Sequence, residues 1–327
     1  MTGLFAGAGA GGGPAPADLG SIARVALDVV APSTRLFGIC ARDAERVVIL
    51  RRGPSKQVLL LTWDTRRHEF RAGQWLKGRV YEERCDLSPS GDKLIYLAAN
   101  QRPPYYAWTA VSRPPYFTAL ALWPNHGTYG GGGLFESERS ILLNQYAGPR
   151  RMPAGFSIPS TMRVRPIGEW AGRGEDEPIR VARMRRDGWV LADPGTRSVY
   201  CMDANLKWQY LQPERWRKSH GSFTLERRIL GIGERNGPWY VTEHRLLSED
   251  DEVVMDFGRS DWADWSQSGE LLLARDGKLS RVRTSGGRAQ IRVEQLVDLA
   301  GLRFEEVPPT PGALRWNGQR IFGRKIK

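Results

Sequence analysis

The stretch Cys85-Asp86-Leu87-Ser88-Pro89-Ser90-Gly91-Asp92-Lys93-Leu94-Ile95-Tyr96-Leu97-Ala98 places a polar turn, closed by Gly91, directly before a short apolar run. Asp86 and Ser88 carry oxygens that accept backbone N–H bonds inside a turn. Gly91 supplies a positive φ at little steric cost. Leu94 to Leu97 has the branched and aromatic content of a buried strand. A weaker copy stands at Ala263-Asp264-Trp265-Ser266-Gln267-Ser268-Gly269-Glu270-Leu271-Leu272-Leu273-Ala274. There Asp264, Ser266, Ser268 and Gly269 match Asp86, Ser88, Ser90 and Gly91, with one residue fewer after the glycine. A turn-plus-strand unit that recurs 178 residues later is the mark of a repeat architecture.

Around these two copies the chain reads as a string of short strands. Arg46–Leu50 and Gln57–Trp63 flank the turn Gly53-Pro54-Ser55. Two copies of Arg-Pro-Pro-Tyr, Arg102–Tyr105 and Arg113–Tyr116, enclose Trp108 and precede a strand from Phe117 to Trp123. Asp187-Gly188 is a two-residue turn signal, so Ile179–Met184 and Trp189–Ala192 are expected to form a hairpin. Asp276-Gly277 begins another, into Leu279–Val282. Ser21–Val30 fits a helical turn or a first strand, and Gln290–Leu299 has a spacing that allows one helix. Strands this short, with turn signals about every 8–12 residues, predict an all-β domain built as a sandwich, barrel or propeller.

The repeated turn resembles the Asp-x-Ser-Pro-Asp-Gly turn of TolB-type and WD-like β-propeller blades. Ser90 and Ser268 stand where that pattern has Asp, and Gln267 stands where it has Pro. The resemblance implies a β-propeller. Blades run about 40–45 residues, so four steps fit between the two copies and the folded length holds about five or six blades. The runner-up is a pair of β-sandwich-like domains. Residues 1–20 are Gly, Ala and Pro rich and are expected to form a flexible tail, with a single propeller over 21–327.

Composition agrees with a packed all-β domain: 41% hydrophobic, 26% charged, with 37 Gly and 21 Pro among 327 residues. Eight of the 48 basic residues are lysine, and the net charge is +12. That charge makes nucleic acid a partner to consider. An arginine-heavy, Ala/Gly-rich composition is equally the imprint of a high-GC genome. The basic residues are scattered over Arg150-Arg151, Arg180–Arg186, Arg215–Lys218 and Arg324–Lys327. Three distant cysteines, Cys40, Cys85 and Cys201, make no disulfide framework and fit a reducing, cytoplasmic compartment. No apolar run reaches membrane-spanning length, and no signal peptide is read.

Local catalytic signatures are missing. The four histidines, His68, His126, His220 and His244, form no zinc pattern, so neither metal nor cofactor is expected. Ser219-His220-Gly221-Ser222 reads as a turn. Gly130–Gly133 lacks the Lys-Ser/Thr of a phosphate-binding loop and reads as a bend. The acidic tips Glu175–Glu177 and Glu249–Glu252 read as solvated hairpin ends. Pro103-Pro104-Tyr105-Tyr106 matches a Pro-Pro-x-Tyr ligand pattern but reads as a proline-stiffened edge. The expected function is therefore a non-enzymatic scaffold that binds another protein. The enzyme alternative is a glycosidase-like hydrolase with carboxylates from several blades, drawn from Asp86, Asp264, Glu169 and Glu243. A partner would dock on the aromatic segment carrying Arg102, Tyr105, Tyr106, Trp108, Arg113, Tyr116 and Trp123, because Arg, Tyr and Trp dominate binding hot spots. The competing use of these aromatics is to fill the space between blades.

Overall fold

Strands buried on both faces account for the architecture. In the run Val47-Val48-Ile49-Leu50, Val48 and Leu50 join one apolar cluster while Val47 and Ile49 join another. Successive side chains of a strand point to opposite faces. An unbroken apolar run therefore means a sheet covered on both sides, and the same sorting divides Val58/Leu60 from Leu59/Leu61 and Leu271/Leu273 from Leu272/Ala274.

The structure, a computed structural model, describes residues 34–53, 56–145, 151–284 and 291–316. The described residues all belong to one compact unit. The tail, the Ser21–Val30 segment, Pro54-Ser55, Arg150 and Arg324–Lys327 lie outside the described residues. The first sheet is β1 (Arg35–Cys40), β2 (Arg46–Arg52), β3 (Gln57–Asp64) and β4 (Glu69–Lys77), in sequence order. The second holds β5 (Arg79–Val80), β6 (Asp86–Leu87), β7 (Leu94–Ala99), β8 (Ala107–Ser112) and β9 (Ala119–Asn125). The third is β10 (Gly133–Ser137), β11 (Ser140–Leu143) and β12 (Arg163–Pro166), with β11 and β12 parallel. The helix α1 (Ile179–Arg186) follows. The fourth sheet comprises β13 (Val190–Asp193), β14 (Thr196–Arg197), β15 (Leu206–His220), β16 (Phe223–Glu234), β17 (Tyr240–Leu247) and β18 (Val253–Arg259). The fifth is β19 (Trp262–Trp265), β20 (Leu271–Arg275), β21 (Lys278–Thr284) and β22 (Ile291–Asp298). The fold is all-β, and among the described residues no sheet closes on itself.

Apolar clusters link the first sheet to the second, the second to the third, the fourth to the fifth, and the fifth back to the first. The last link joins the two ends of the described chain. Gly38 permits it, since a Cβ there would lie 2.5 Å from the Trp262 ring. Buried Arg51 adds polar ties, donating to the Leu299 carbonyl at 3.0 Å and the Ala300 carbonyl at 2.7 Å.

The two repeated turns share one geometry. Lys93 N–H donates to Ser88 Oγ at 3.1 Å, and Glu270 N–H donates to Ser266 Oγ at 3.0 Å. Gly91 and Gly269 have φ of +76° and +80°. The missing residue shortens the second loop without changing its bonding. The aspartates depart from the expected role inside the turn. Asp86 is fully buried and reaches into the third sheet, accepting from Phe135 N–H at 2.7 Å and from both terminal nitrogens of Arg186 at 2.7 and 2.8 Å. Asp264 accepts from Trp265 N–H at 2.8 Å and pairs with Lys218 of the fourth sheet at 2.6 Å.

Two elements differ from expectation. Ile179–Arg186 is a helix, not half of a hairpin. Its buried residues Ile179, Arg180, Arg183 and Met184 follow helical spacing, and Gly188, at φ +89°, lets the chain leave it. Ile291–Asp298 is an edge strand on β21 rather than a helix, so pairing overrides its local spacing.

Removing the Asp86 carboxylate strands a buried Phe135 N–H and takes a partner from Arg186. Asp86→Ala should cost roughly 3–5 kcal/mol in chemical unfolding, against no more than about 2 kcal/mol for Asp264→Ala. Equal losses would contradict the cross-sheet role of Asp86.

Candidate functional site

A cavity of about 250 Å³ opens where β1, β2, β5 and the 3-10 turn Glu82–Arg84 face β15 to β18 of the fourth sheet. Arg35, Arg52 and Arg79 come from strands β1, β2 and β5, while Lys207, Arg227 and Arg259 come from the fourth sheet. Glu82, Glu83, Glu175, Asp176 and Asp261 supply carboxylates, and Tyr81, Trp239 and Tyr240 supply rings.

Most of these charges are already matched. Arg52 Nη1 donates to both Glu82 oxygens at 2.9 Å. Glu83 is held by Arg183 and Arg227, each at 2.7 Å. Burial alone would push the Glu83 carboxyl up, but the two guanidiniums outweigh it and its pKa falls below the ordinary value. Asp176 accepts from Arg84 Nε at 2.8 Å and from the Tyr240 hydroxyl at 2.9 Å. Arg259 pairs with Glu234.

Arg35 differs. It stands directly opposite Arg52 across the β1–β2 pair, and its buried Nη1 has no hydrogen-bond partner among the described residues. Burial and the neighbouring Arg52 lower its pKa. Arg79 lies over the Tyr81 ring at 4.7 Å and Lys207 over the Trp239 ring at 5.4 Å. Asp261 accepts from Leu36 N–H at 3.2 Å, and burial raises its pKa from 3.8 to about 6. Behind the cavity His244 is buried against Ser260 Oγ at 2.8 Å, and burial lowers its pKa to about 3, so it stays neutral. Among the described residues no group of three or more His, Cys, Asp or Glu is gathered to hold a metal.

The sequence-chosen carboxylates do not meet at this cavity. Asp86 and Asp264 serve the ties described above, Glu243 pairs with Arg228, and Glu169 is exposed. The expected solvated tip at 175–177 is corrected in part, because Asp176 is buried by its pairing with Arg84. Ser219 and His220 end β15 before the turn Gly221-Ser222: Ser219 Oγ bonds Thr224 Oγ1 at 2.8 Å and the His220 ring lies 5.3 Å from that of Trp265. Of the basic runs considered for nucleic acid, Arg180–Arg186 and Arg215–Lys218 are largely spent within the protein, with Arg180, Arg183, Arg186, Arg215, Arg217 and Lys218 all in ion pairs.

The aromatic docking segment divides. Trp123 and Tyr116 are buried, with relative exposures of 2% and 7%, and so correct the expectation that they face a partner. Trp108 is half-buried against the first apolar cluster. The second Arg-Pro-Pro-Tyr is covered by the chain itself: Arg113 Nε donates to the Arg315 carbonyl at 2.8 Å, and Thr310, Gly312 and Trp316 share a hollow with Pro114, Pro115 and Tyr116. The first copy is open. Arg102 is exposed, Tyr105 half-buried and Tyr106 49% exposed. Sequence reasoning missed Arg35, Arg52, Arg79 and Asp261. The one local signal was arginine at the ends of otherwise apolar strands.

The chain matches no protein-family model and no curated protein. No helix among the described residues is long and apolar enough to cross a membrane.

Asp261 carries a pH signature. Its raised pKa penalises ionisation in the folded state, so stability falls as pH rises from about 4 to about 6. Asp261→Asn keeps an acceptor for Leu36 N–H and cannot ionise. Its stability relative to the parent should rise by roughly 1–3 kcal/mol between pH 4 and pH 7, allowing for partial solvent access. The His244 contribution is common to both proteins. Thermal unfolding across that range checks it, and a difference independent of pH would contradict it.

Proposed function

We propose that the chain is a five-bladed β-propeller acting as a non-enzymatic binding module in the cytoplasm, with another protein as its partner. Five sheets in chain order, with shared apolar cores at four of the five junctions and the fifth sheet returning to the first, support the propeller reading. The resemblance of the two turns to TolB-type and WD-like blades supports it as well. The thiols of Cys40, Cys85 and Cys201 are free, as a reducing compartment requires. The binding reading, rather than catalysis, is favoured by the cavity's carboxylates Glu82, Glu83 and Asp176, each committed to arginine.

One observation carries the partner reading. The two Arg-Pro-Pro-Tyr copies lie at opposite ends of β8, and the covered copy meets the turn segment around Arg315, whose carbonyl accepts from Arg113 and which shares a hollow with Pro114 and Pro115. The open copy offers the same residue types to a segment of another chain. Proline limits the ordering entropy lost on docking, and the exposed Tyr106 supplies apolar area. Arg102→Ala and Tyr106→Ala should leave the unfolding midpoint within about 0.5 kcal/mol of the parent, as surface substitutions do. Together they should release a protein that co-purifies with the tagged parent from its native cell. Retention of that protein by the folded double variant would sink the docking role of this loop.

A further inference from the structure

The charge pattern at the cavity goes beyond protein docking. Seven basic side chains line it against five carboxylates, a surplus of two positive charges. Arg35 and Arg52 face each other across an antiparallel pair, where like charges destabilise. Arg79 adds a smaller positive field on Arg35, which Glu82 and Asp261 oppose without restoring its ordinary pKa. Glu82 takes up Arg52, and Arg35 keeps a buried N–H with no acceptor among the described residues. A buried, charged donor without an acceptor is costly, and buried polar groups in folded proteins are otherwise satisfied. A structure that gathers such groups around an open cavity is arranged for an acceptor from outside.

We infer that Arg35, Arg52 and Arg79 bind the phosphate group of a small organic phosphate monoester. Guanidinium forks match phosphate oxygens in geometry and charge. A phosphate dianion meets the surplus of two and offers three terminal oxygens to three arginines, whereas a carboxylate offers one charge and two oxygens. The Tyr81 and Trp239 rings in the lining, with Leu36 and Phe37, give the organic part flat and apolar surface. An adjoining hollow of about 280 Å³ shares Arg52, Arg79, Lys207 and Trp239 with the cavity and adds Arg235, so the approach is also cationic. Such a field raises the rate of anion capture.

Calorimetric titration of the full chain at low ionic strength, with phenyl phosphate, inorganic phosphate and benzoate as probes, tests this. Phenyl phosphate should bind one per chain, more tightly than inorganic phosphate and about tenfold or more tighter than benzoate, the difference of a charge-assisted hydrogen bond. Arg35→Gln should weaken phenyl phosphate about tenfold or more while melting, without ligand, at or above the parent temperature, because a repulsion has been removed. Arg275→Gln, an exposed arginine outside the cavity, should bind like the parent. Should Arg35→Gln fail to fold, Arg35→Lys replaces it: the charge stays, the fork is lost, and phenyl phosphate should still weaken measurably. The proposal is overturned by absence of phosphate binding at millimolar concentration, by benzoate binding as well as phenyl phosphate, by unchanged binding in the folded Arg35 variant, or by an equal loss in Arg275→Gln. None of these outcomes bears on the docking loop, which is tested separately.

Discussion

Three arginines on one short helix tie the sheets together. Arg180, Arg183 and Arg186 recur every third residue of α1 and so share one helical face. Arg180 reaches Glu214 of the fourth sheet at 2.9 Å. Arg183 reaches Glu83 at 2.7 Å and the Cys85 carbonyl at 2.5 Å, both beside the second sheet. Arg186 takes Asp86, whose other bond holds Phe135 of the third sheet. Met184 from the same helix packs with the fourth and fifth sheets. Eight residues cannot hold a helix in water unaided. The helix exists because its side chains are anchored, and the buried carboxylates are tolerable because the helix supplies their counter-charges. A buried ion pair is weak evidence of net stability, since desolvation offsets much of the attraction. What it adds is specificity: a misplaced sheet would leave Glu83 or Asp86 buried without a cation.

The apolar part of the fold was legible and the polar part was not. Alternating and continuous apolar runs marked strands such as β2, β3 and β7, and the bonding of Ser88 and Ser266 follows from their residue types and spacing. Periodicity reports only how a segment meets a core. It failed at α1, where the buried face is half arginine, and at β22, where an edge strand carries a spacing that also suits a helix. The longer reach of Asp86 was invisible because its partners Phe135 and Arg186 are 49 and 100 residues away.

The site divides in the same way. Arg102 and Tyr106 were legible because exposed loop residues keep the chemistry that the sequence shows. Tyr116 carries the same motif letter as Tyr105, yet the segment around Arg315 covers its copy. Nothing local distinguishes the two copies. Arg35, Arg52 and Arg79 come from three strands in two sheets, and Arg35 and Arg52 become neighbours only through the β1–β2 register.

Native-state hydrogen exchange of the α1 amides tests the tying role of the helix most directly. Ala182, Asp187 and Trp189 donate to the carbonyls of Pro178, Arg183 and Met184. If the anchored helix holds the sheets together, these amides open only with the whole domain, at the free energy measured for β2 and β7. Opening of α1 at a free energy lower by about 3 kcal/mol or more, with the strands still protected, would show that the sheets hold without it and would contradict the account.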